Sequence, residues 1–352
     1  MLSQARGSSI NSFDFEKQIK RWYRVATIVN EADPDVGSTP RTLIWKKNKT
    51  SLWHYPSTIK KKYRVPILVV YSLFNKPFIL DLAPGSSMIA GLMEKGYDVY
   101  LLDWGIPEKE DSHLAFDHYV FDYLQKGVKR VLRHSGAEHI SLLGYCLGGT
   151  IAAMYTAIAD EPIKNLMVAA TPVDFSIGGL PSSWQQAIEN GELNLDHYID
   201  VHGNIPAHVI ESMFRMVTSP VYYSPYVNLY DRAWNEQYVD KWRRINKWQR
   251  EPIPLAGETF RQLMKEFMKE NKLVKGELIL RGKRVDLSNI HANLFVVSSK
   301  NDHLVQEKQA LPLLKLVSSK DKTHICASAG HISLAIMKEF TDMLDEWFKE
   351  RS

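Results

Sequence analysis

The stretch Gly144–Thr150, which reads GYCLGGT, decides the fold of this chain because it places a cysteine among glycines at a predicted turn. The apolar run HISLL comes directly before it, and the apolar run IAAMYTAIA follows it. The first run predicts a short buried strand and the second a helix, so Cys146 lies where a strand passes into a helix. A cysteine at such a position either fills a small buried space or is a nucleophile that a sharp turn exposes.

Strand and helix patterns alternate on both sides of this turn. Buried strands are predicted for PILVVYSLF, YDVYLLDWG, KNLMVAATPVDF, ANLFVVSS and THICAS. Helices are predicted between and after them for GSSMIAGLMEKG, FDHYVFDYLQKGVKRVLRHSG and ISLAIMKEFTDMLDEWFKE. This alternation predicts an α/β protein with a mostly parallel sheet and helices on both faces.

Two segments depart from the alternating pattern. Residues 1–60 predict an N-terminal extension, with a helix from about Ser12 to Glu31 and a hairpin in TLIWKKNKTSLWHYP. Residues 176–276 consist of helical pieces rich in Trp, Tyr and Pro, which predict a lid inserted over the carboxyl ends of the strands. The core is then expected to comprise residues 61–175 and 277–352.

Two candidate partners for the cysteine follow later predicted strands. Asp302 comes just after LFVVSSKN, and His331 comes just after THICASAG. A glycine-flanked nucleophile followed along the chain by an acid and then a histidine is the order of the α/β-hydrolase fold, here with cysteine in place of serine. We therefore predict that fold, with Cys146 as nucleophile, His331 as its base and Asp302 orienting the histidine. Asp103 also ends a predicted strand, but that strand precedes the turn, which favours a structural role.

Further site residues are predicted by their position beside these three. Backbone N–H groups of Leu147 and of the loop at Ser72 and Leu73 are the candidate donors to an oxyanion. Tyr145 either contacts substrate or packs in the core, and His303 either lines an acyl channel or lies on its rim.

Two other features have alternative interpretations. Cys326 lies inside a predicted strand, so we expect it to be buried and inert. The stretch KWRRINKWQR interleaves basic and aromatic residues, a pattern that can bind nucleic acid or the phosphates of a cofactor. The alternative is a helix with Trp242 and Ile245 inward and its charges in water.

Composition limits the classes of partner. A net charge of +4 on 352 residues does not favour nucleic acid. The 2 cysteines provide neither a disulfide framework nor a metal-ligand spacing, so we expect no metal site and a reducing, cytoplasmic location. No apolar run has the pattern of a signal peptide or the length of a membrane span.

Beyond these patterns, the sequence resembles the polyhydroxyalkanoate synthases of the two-subunit types, classes III and IV, and most closely class IV of bacilli. In the core, the resemblance rests on LGYCLGGT, ILDLAPG, YDVYLLDWG, NDH and AGHIS. The resemblance extends to VGSTPRTLIWKKNK near the start, to GNIP and AGETFRQ within residues 176–276, and to GELILRGKRVDLSNI before the later strands. The matches within residues 176–276 matter most, because a generic hydrolase would not share them.

The resemblance implies a specific reaction. Such synthases polymerise (R)-3-hydroxyacyl-coenzyme A, with 3-hydroxybutyryl units expected first, through a thioester on Cys146 and with release of coenzyme A. It also implies that His331 acts as base, that Asp302 helps to activate the attacking hydroxyl, and that no cofactor is needed besides the coenzyme A thioester substrate. A small accessory subunit of class IV or class III type, homodimerisation and a location at the surface of cytoplasmic polyester granules are expected.

Two rival interpretations remain open at the level of sequence. The same three residues would serve a cysteine hydrolase, either a thioesterase or a polyester depolymerase, in which water replaces the hydroxyl acceptor. A non-catalytic granule-surface protein could also retain the fold, although the complete set of catalytic residue types argues against it.

Overall fold

The structure is a computed structural model. It describes residues 12–57, 59–60, 63–177, 190, 194–218 and 224–352.

An eight-stranded sheet forms the centre of the described chain. Its strands are β1 Thr42–Lys47, β2 Thr50–Tyr55, β3 Ile67–Val70, β4 Val99–Asp103, β5 Ile140–Tyr145, β6 Ile163–Ala169, β7 Asn293–Ser299 and β8 Lys322–Ala327. They are arranged in the order β1-β2-β4-β3-β5-β6-β7-β8. Neighbouring strands from β4 to β8 are parallel, whereas β1 and β2 are antiparallel to each other and β2 is antiparallel to β4. The mostly parallel sheet predicted from the sequence is confirmed.

Helices lie between the strands and at both ends of the described chain. They are α1 Ser12–Asn30, α2 Met88–Glu94, α3 Gln125–Ser135, α4 Leu147–Ile158, α5 Leu195–His202, α6 Ala207–Thr218, α7 Ser224–Arg232, α8 Glu236–Gln249, α9 Gly257–Gln262, α10 Lys272–Lys275, α11 Glu307–Ala310, α12 Pro312–Leu316, α13 His331–Ile336 and α14 Lys338–Phe348. Two π-helical turns span His118–Leu124 and Leu263–Lys269. Shorter 3-10 turns span Pro77–Leu80, Lys109–Asp111 and Leu287–Asn289.

The central strands are apolar on both faces because helices cover both. All residues of β3 and β5 are buried, as expected for strands inside a parallel sheet. Register pairs Val70 at the end of β3 with Gly144 near the end of β5. The carboxyl ends of these strands therefore meet at one edge of the sheet, which is where α/β folds place their sites.

The hairpin assigned to an N-terminal extension is part of the sheet. Strand β2 pairs along its length with β4, from Ser51 opposite Asp103 to Tyr55 opposite Val99. Its inward side chains, among them Leu52, are fully buried in the main core. The hairpin therefore belongs structurally with the core and does not stand apart from it.

The closing helix predicted from the sequence is divided into two. Met337 has extended backbone angles (φ −88°, ψ 139°), which end α13 and begin α14. The break changes the direction of the chain, so that α14 packs against α2.

Cys326 lies in β8 as predicted, but its predicted burial is wrong. Its side chain is exposed, because β8 is the edge strand of the sheet and is incompletely covered there.

Helices α5 to α10 follow β6 and precede β7, and they lie within residues 176–276, which we call the inserted segment. Part of that range, including most of residues 178–193, lies outside the described residues. A two-residue strand pair joins Asn204–Ile205 to Leu255–Ala256.

Helix α1 packs against α7 and α8 of the inserted segment. Ile28 of α1 shares a small apolar cluster with Leu229, Val239 and Trp242. Ion pairs reinforce the contact just after α1. They join Glu31 to Arg243 (2.9 Å), Asp33 to Lys247 (3.4 Å) and Asp33 to Arg250 (2.8 Å).

Candidate active site

The turn between β5 and α4 places Cys146 in an unusual backbone conformation. Its φ of 54° and ψ of −132° are rarely adopted by residues other than glycine. The chain can turn this tightly only because its neighbours lack side chains. A Cβ at Gly148 would lie 2.2 Å from the carbonyl oxygen of Val70, and one at Gly144 would lie 2.3 Å from the Cα of Gly149.

Asp302 and His331 reach the same site from the ends of neighbouring strands. Asp302 follows β7, is buried, and accepts a hydrogen bond from Nδ1 of His331 at 2.6 Å. Its other oxygen accepts the backbone N–H groups of Leu304 (2.9 Å) and Val305 (2.8 Å). With both oxygens engaged, the carboxylate is fixed in position, and it fixes the orientation of the imidazole.

The imidazole of His331 lies between two groups that carry or can carry negative charge. Burial by itself lowers the pKa of His331, but the carboxylate of Asp302 and the sulfur of Cys146 raise it to about 10 overall. A side-chain hydrogen bond to Cys146 contributes to this increase. A protonated imidazole next to the sulfur stabilises a thiolate, the nucleophilic form of cysteine.

Tyr145 contacts the histidine from the side of the sheet. Its hydroxyl donates to the backbone carbonyl of His331 at 2.5 Å, and its ring packs edge-on against the imidazole. Tyr145 is buried and is absent from the walls of the cavities described below. Of the two alternatives for this residue, the geometry favours packing that positions His331.

The remaining predicted residues are distributed as follows. Leu147 begins α4, so its N–H has no acceptor within the helix. Ser72 lines a cavity together with Cys146, whereas the buried side chain of Leu73 faces a different pocket, beside Trp104. His303 is exposed on the rim of the cavity that contains Cys146.

Asp103 does not line the cavity that contains Cys146 and His331. It accepts the backbone N–H of Gly105 at 3.1 Å, and burial raises its pKa. Its structural role is the one that the sequence favoured.

A cavity of about 610 Å³, the large cavity, opens over the catalytic candidates. Cys146 and His331 lie in its floor, and α8 supplies Trp242, Ile245 and Trp248 to its wall. A second cavity of about 150 Å³, the apolar cavity, also has Cys146 in its wall. Sequence patterns did not identify these lining residues, because an apolar stripe on a helix does not show which surface it faces.

The basic residues of α8, together with Arg250 directly after it, separate into two groups. Arg243, Lys247 and Arg250 form the ion pairs with the segment after α1, and Arg244 pairs with Asp240 at 2.9 Å. Lys241, by contrast, lines the large cavity, as does Arg232 at the end of α7. Within the described part of the chain, neither of these two side chains has a carboxylate at ion-pair distance.

Comparisons with known proteins identify similar sequences and folds. Residues 65–198 match a family model for the alpha/beta hydrolase fold, and residues 27–92 match one for the Poly-beta-hydroxybutyrate polymerase (PhaC) N-terminus. The chain is 35% identical to the Poly(3-hydroxyalkanoate) polymerase subunit PhaC of Haloferax mediterranei, over 97% of this chain and 72% of that protein. It is 32% identical to the subunit of the same name from Allochromatium vinosum, over 92% of each chain.

Solved structures support the fold alone. A putative lipase from Sulfolobus solfataricus superposes with a TM-score of 0.55 at 14% identity, over 92% of this chain and 100% of that chain. A monoacylglycerol lipase from Paleococcus ferrophilus gives a TM-score of 0.52 at 14% identity, over 87% of this chain and 100% of that chain. The predicted α/β-hydrolase fold is confirmed.

Proposed function

This chain belongs to the poly(3-hydroxyalkanoate) polymerase family and is an acyltransferase of that kind, and we propose that Cys146, His331 and Asp302 perform its chemistry. The observation that carries the proposal is the geometry at the carboxyl edge of the sheet. There a strained cysteine, a histidine and a buried aspartate share one site.

The first step forms an acyl-enzyme. The sulfur of Cys146 attacks the carbonyl carbon of a 3-hydroxyacyl-coenzyme A, and a new C–S bond forms. The N–H of Leu147, with one from the loop at Ser72 and Leu73, stabilises the oxyanion. The bond to the sulfur of coenzyme A then breaks, and the imidazolium of His331 supplies the proton that coenzyme A carries away.

The second step extends the polyester. A hydroxyl of one unit attacks the thioester carbon of another, a C–O ester bond forms, and the C–S bond to Cys146 breaks. Neutral His331 accepts the hydroxyl proton, and Asp302 stabilises the imidazolium that results. Each unit added releases one coenzyme A, and the thioester itself supplies the activation, so the proposed reaction uses no separate cofactor.

The acceptor must be a hydroxyl and not water. The aromatic wall that α8 gives to the large cavity supports a site from which water is excluded. We assign the inserted segment the role of a lid on this basis. We propose that the substrates carry short side chains and that 3-hydroxybutyryl-coenzyme A is the preferred one.

Lys241 and Arg232 are the proposed ligands of the phosphates of coenzyme A. Both line the large cavity and lack a carboxylate partner among the described residues, whereas the other basic residues of α8 are already paired. Within KWRRINKWQR, phosphate binding is therefore proposed for Lys241 alone.

We propose a small accessory subunit as partner, of the class IV type or the related class III type. The names of the relatives, which call them polymerase subunits, support a second component. So does the outer face of α1, where Phe15, Ile19, Trp22, Ala26 and Val29 are exposed at alternating spacings of four and three residues. That spacing is the seam of a coiled coil, which fits a helix of the partner.

A location at the surface of cytoplasmic polyester granules and homodimerisation complete the proposal. The product is an insoluble polyester, which supports a location of the enzyme at the granule surface. Within the described part of the chain, no helix has the length and apolar character that crossing a membrane requires.

Ile19→Asp tests the subunit proposal. It should abolish stimulation by the accessory subunit but leave subunit-free release of coenzyme A unchanged. Ile279→Asp, at a similarly exposed isoleucine elsewhere, is the matched control. Equal effects of the two variants would contradict the assignment of α1.

The direct test of the mechanism follows coenzyme A release and turbidity together, with 3-hydroxybutyryl-coenzyme A and with or without accessory subunits of class III and class IV. Release with growing turbidity in the wild type, and neither in Cys146→Ala, is expected. Release with a clear solution and free acid would instead identify a cysteine hydrolase. Release that persists unchanged in Cys146→Ala would exclude the proposed nucleophile, and no release from either protein with any accessory subunit would leave the non-catalytic role.

A further inference from the structure

The apolar cavity adjoins the large cavity at Cys146. Cys146, Phe74, Phe214 and Leu304 contribute to the walls of both cavities and so form the partition between them. An acyl group held on the sulfur of Cys146 therefore has space on two sides.

The two spaces differ in chemistry. His331 lines the large cavity and is absent from the wall of the apolar one. Met213, Phe260 and Met264 line the apolar cavity, with further apolar side chains around them. Among the described residues that line it, Gln309 is the polar side chain besides the cysteine, and it already accepts the backbone N–H of Gln306 at 2.8 Å. The described part of the wall thus offers an occupant mainly hydrocarbon contacts.

We propose that the apolar cavity binds the hydrocarbon substituent on carbon 3 of the acyl unit carried by Cys146, and that its size limits the length of that substituent. The inference rests on the proposed function. The hydroxyl that attacks the thioester belongs to the incoming unit and must reach His331 to lose its proton, so the incoming unit occupies the large cavity. The apolar cavity then remains for the hydrocarbon group on carbon 3 of the unit already held on Cys146.

The volume sets the range of substituents. A protein cavity of about 150 Å³ lined by aliphatic and aromatic side chains holds a molecule the size of benzene. The apolar cavity, also about 150 Å³, therefore has room for a methyl or a propyl group, but not for a long extended chain. Methionines in the wall adapt their shape to either group. The π-helical turn Leu263–Lys269 supplies Leu263, Met264 and Met268 to this wall, and such turns recur at functional sites.

Met213 gives a direct test with a control on the same helix. Both Met213 and Met216 lie on α6, but Met213 lines the apolar cavity while Met216 is 45% exposed. The substrates are 3-hydroxybutyryl- and 3-hydroxyhexanoyl-coenzyme A, whose substituents are methyl and propyl. Each buried methylene is worth about 0.8 kcal/mol, or roughly fourfold in kcat/KM.

Met213→Trp should fill the cavity. We expect it to lower the hexanoyl-to-butyryl ratio of kcat/KM by roughly tenfold or more, the effect of about two lost methylene contacts, and to retain most activity on the butyryl substrate. Met216→Trp should leave both values near wild type. Met213→Ala should change the ratio in the opposite direction, and this variant keeps the test valid if the tryptophan does not fit and the protein fails to fold.

Three results would overturn the inference, each in a different way. An unchanged ratio in all variants would mean that the substituent does not occupy the cavity. An equal loss on both substrates, with the first acylation of Cys146 intact by mass spectrometry, would mean that the growing polyester occupies it. If the wild-type chain forms polymer from neither substrate, the proposed function itself is refuted. The ratio of kcat/KM values tests only the role of the cavity.

Discussion

At the scale of single residues, the proposed mechanism makes the charge state of His331 determine where protons go during the reaction. Asp302 and Cys146 together raise the pKa of His331 to about 10. Acylation turns Cys146 into a neutral thioester, which removes one of the two causes. The pKa of His331 then falls, so the ring releases its proton to the departing coenzyme A and becomes a base for the next hydroxyl.

This account predicts a protonated ring in the resting enzyme. At about pH 8, below the pKa of about 10, the ¹⁵N NMR signals of His331 should be those of imidazolium. After Cys146 is alkylated with iodoacetamide, the same ring should titrate at lower pH. A neutral ring at about pH 8 in the unmodified protein would show that the resting site holds a thiol and a neutral imidazole.

Substitution can distinguish the role of Asp302 from that of Asp103, the other aspartate at the end of a strand considered as a partner for the cysteine. Asp302→Asn should lower kcat/KM by roughly 10³- to 10⁴-fold, since an amide in this position no longer holds the imidazole in the required tautomer. Asp103→Asn, at another aspartate that ends a strand of the same sheet, should leave kcat/KM close to that of the wild type. Steady-state kinetics measure kcat/KM of the two variants, and circular dichroism confirms that both are folded. Similar losses of kcat/KM in both variants would contradict a catalytic role specific to Asp302.

At the scale of elements, the strand–turn–helix around Cys146 depends on glycine at fixed positions. In Gly148→Ala, the added Cβ would lie 2.2 Å from a backbone oxygen of β3, and backbone atoms cannot move aside without disrupting the sheet. We expect this variant to be insoluble or to melt far below the wild type. In Gly127→Ala of α3, the added Cβ would lie 3.3 Å from the terminal methyl of Leu102, which has to shift by only a few tenths of an ångström. This variant should remain close to the wild type in stability, because alanine favours helix by about 1 kcal/mol over glycine. Thermal melts measure both.

The same turn was predictable from sequence because it is local. The apolar runs around Cys146 give the strand and the helix, and chain order places Asp302 and His331 after later strands. The exposure of Cys326 was not predictable in this way, since it depends on which strand lies at the edge of the sheet. The break at Met337 and the partition between the two cavities depend on packing between distant segments, which periodicity does not report.

At the scale of the whole molecule, the residues after α1 hold the N-terminal helix on the inserted segment through Glu31 and Asp33. Exposed ion pairs of this kind contribute about 0 to 1 kcal/mol each, so Glu31→Gln with Asp33→Asn should change global stability little. Hydrogen exchange should nevertheless become faster in α1 and in residues 31–35, with the sheet unchanged. Glu16→Gln is the control, because Glu16 pairs with Lys20 inside α1. Equal exchange in the double variant and the control would show that apolar packing alone holds the helix.

The attachment of α1 to α7 and α8 has a mechanical consequence. Trp242 of α8 packs with Ile28 of α1 on one side and lines the large cavity on the other. A displacement of α1 would therefore reach, through this cluster, a side chain in the wall of the cavity that contains Cys146. A partner that bound the exposed face of α1 would contact an element whose packing continues to the wall of the proposed active site.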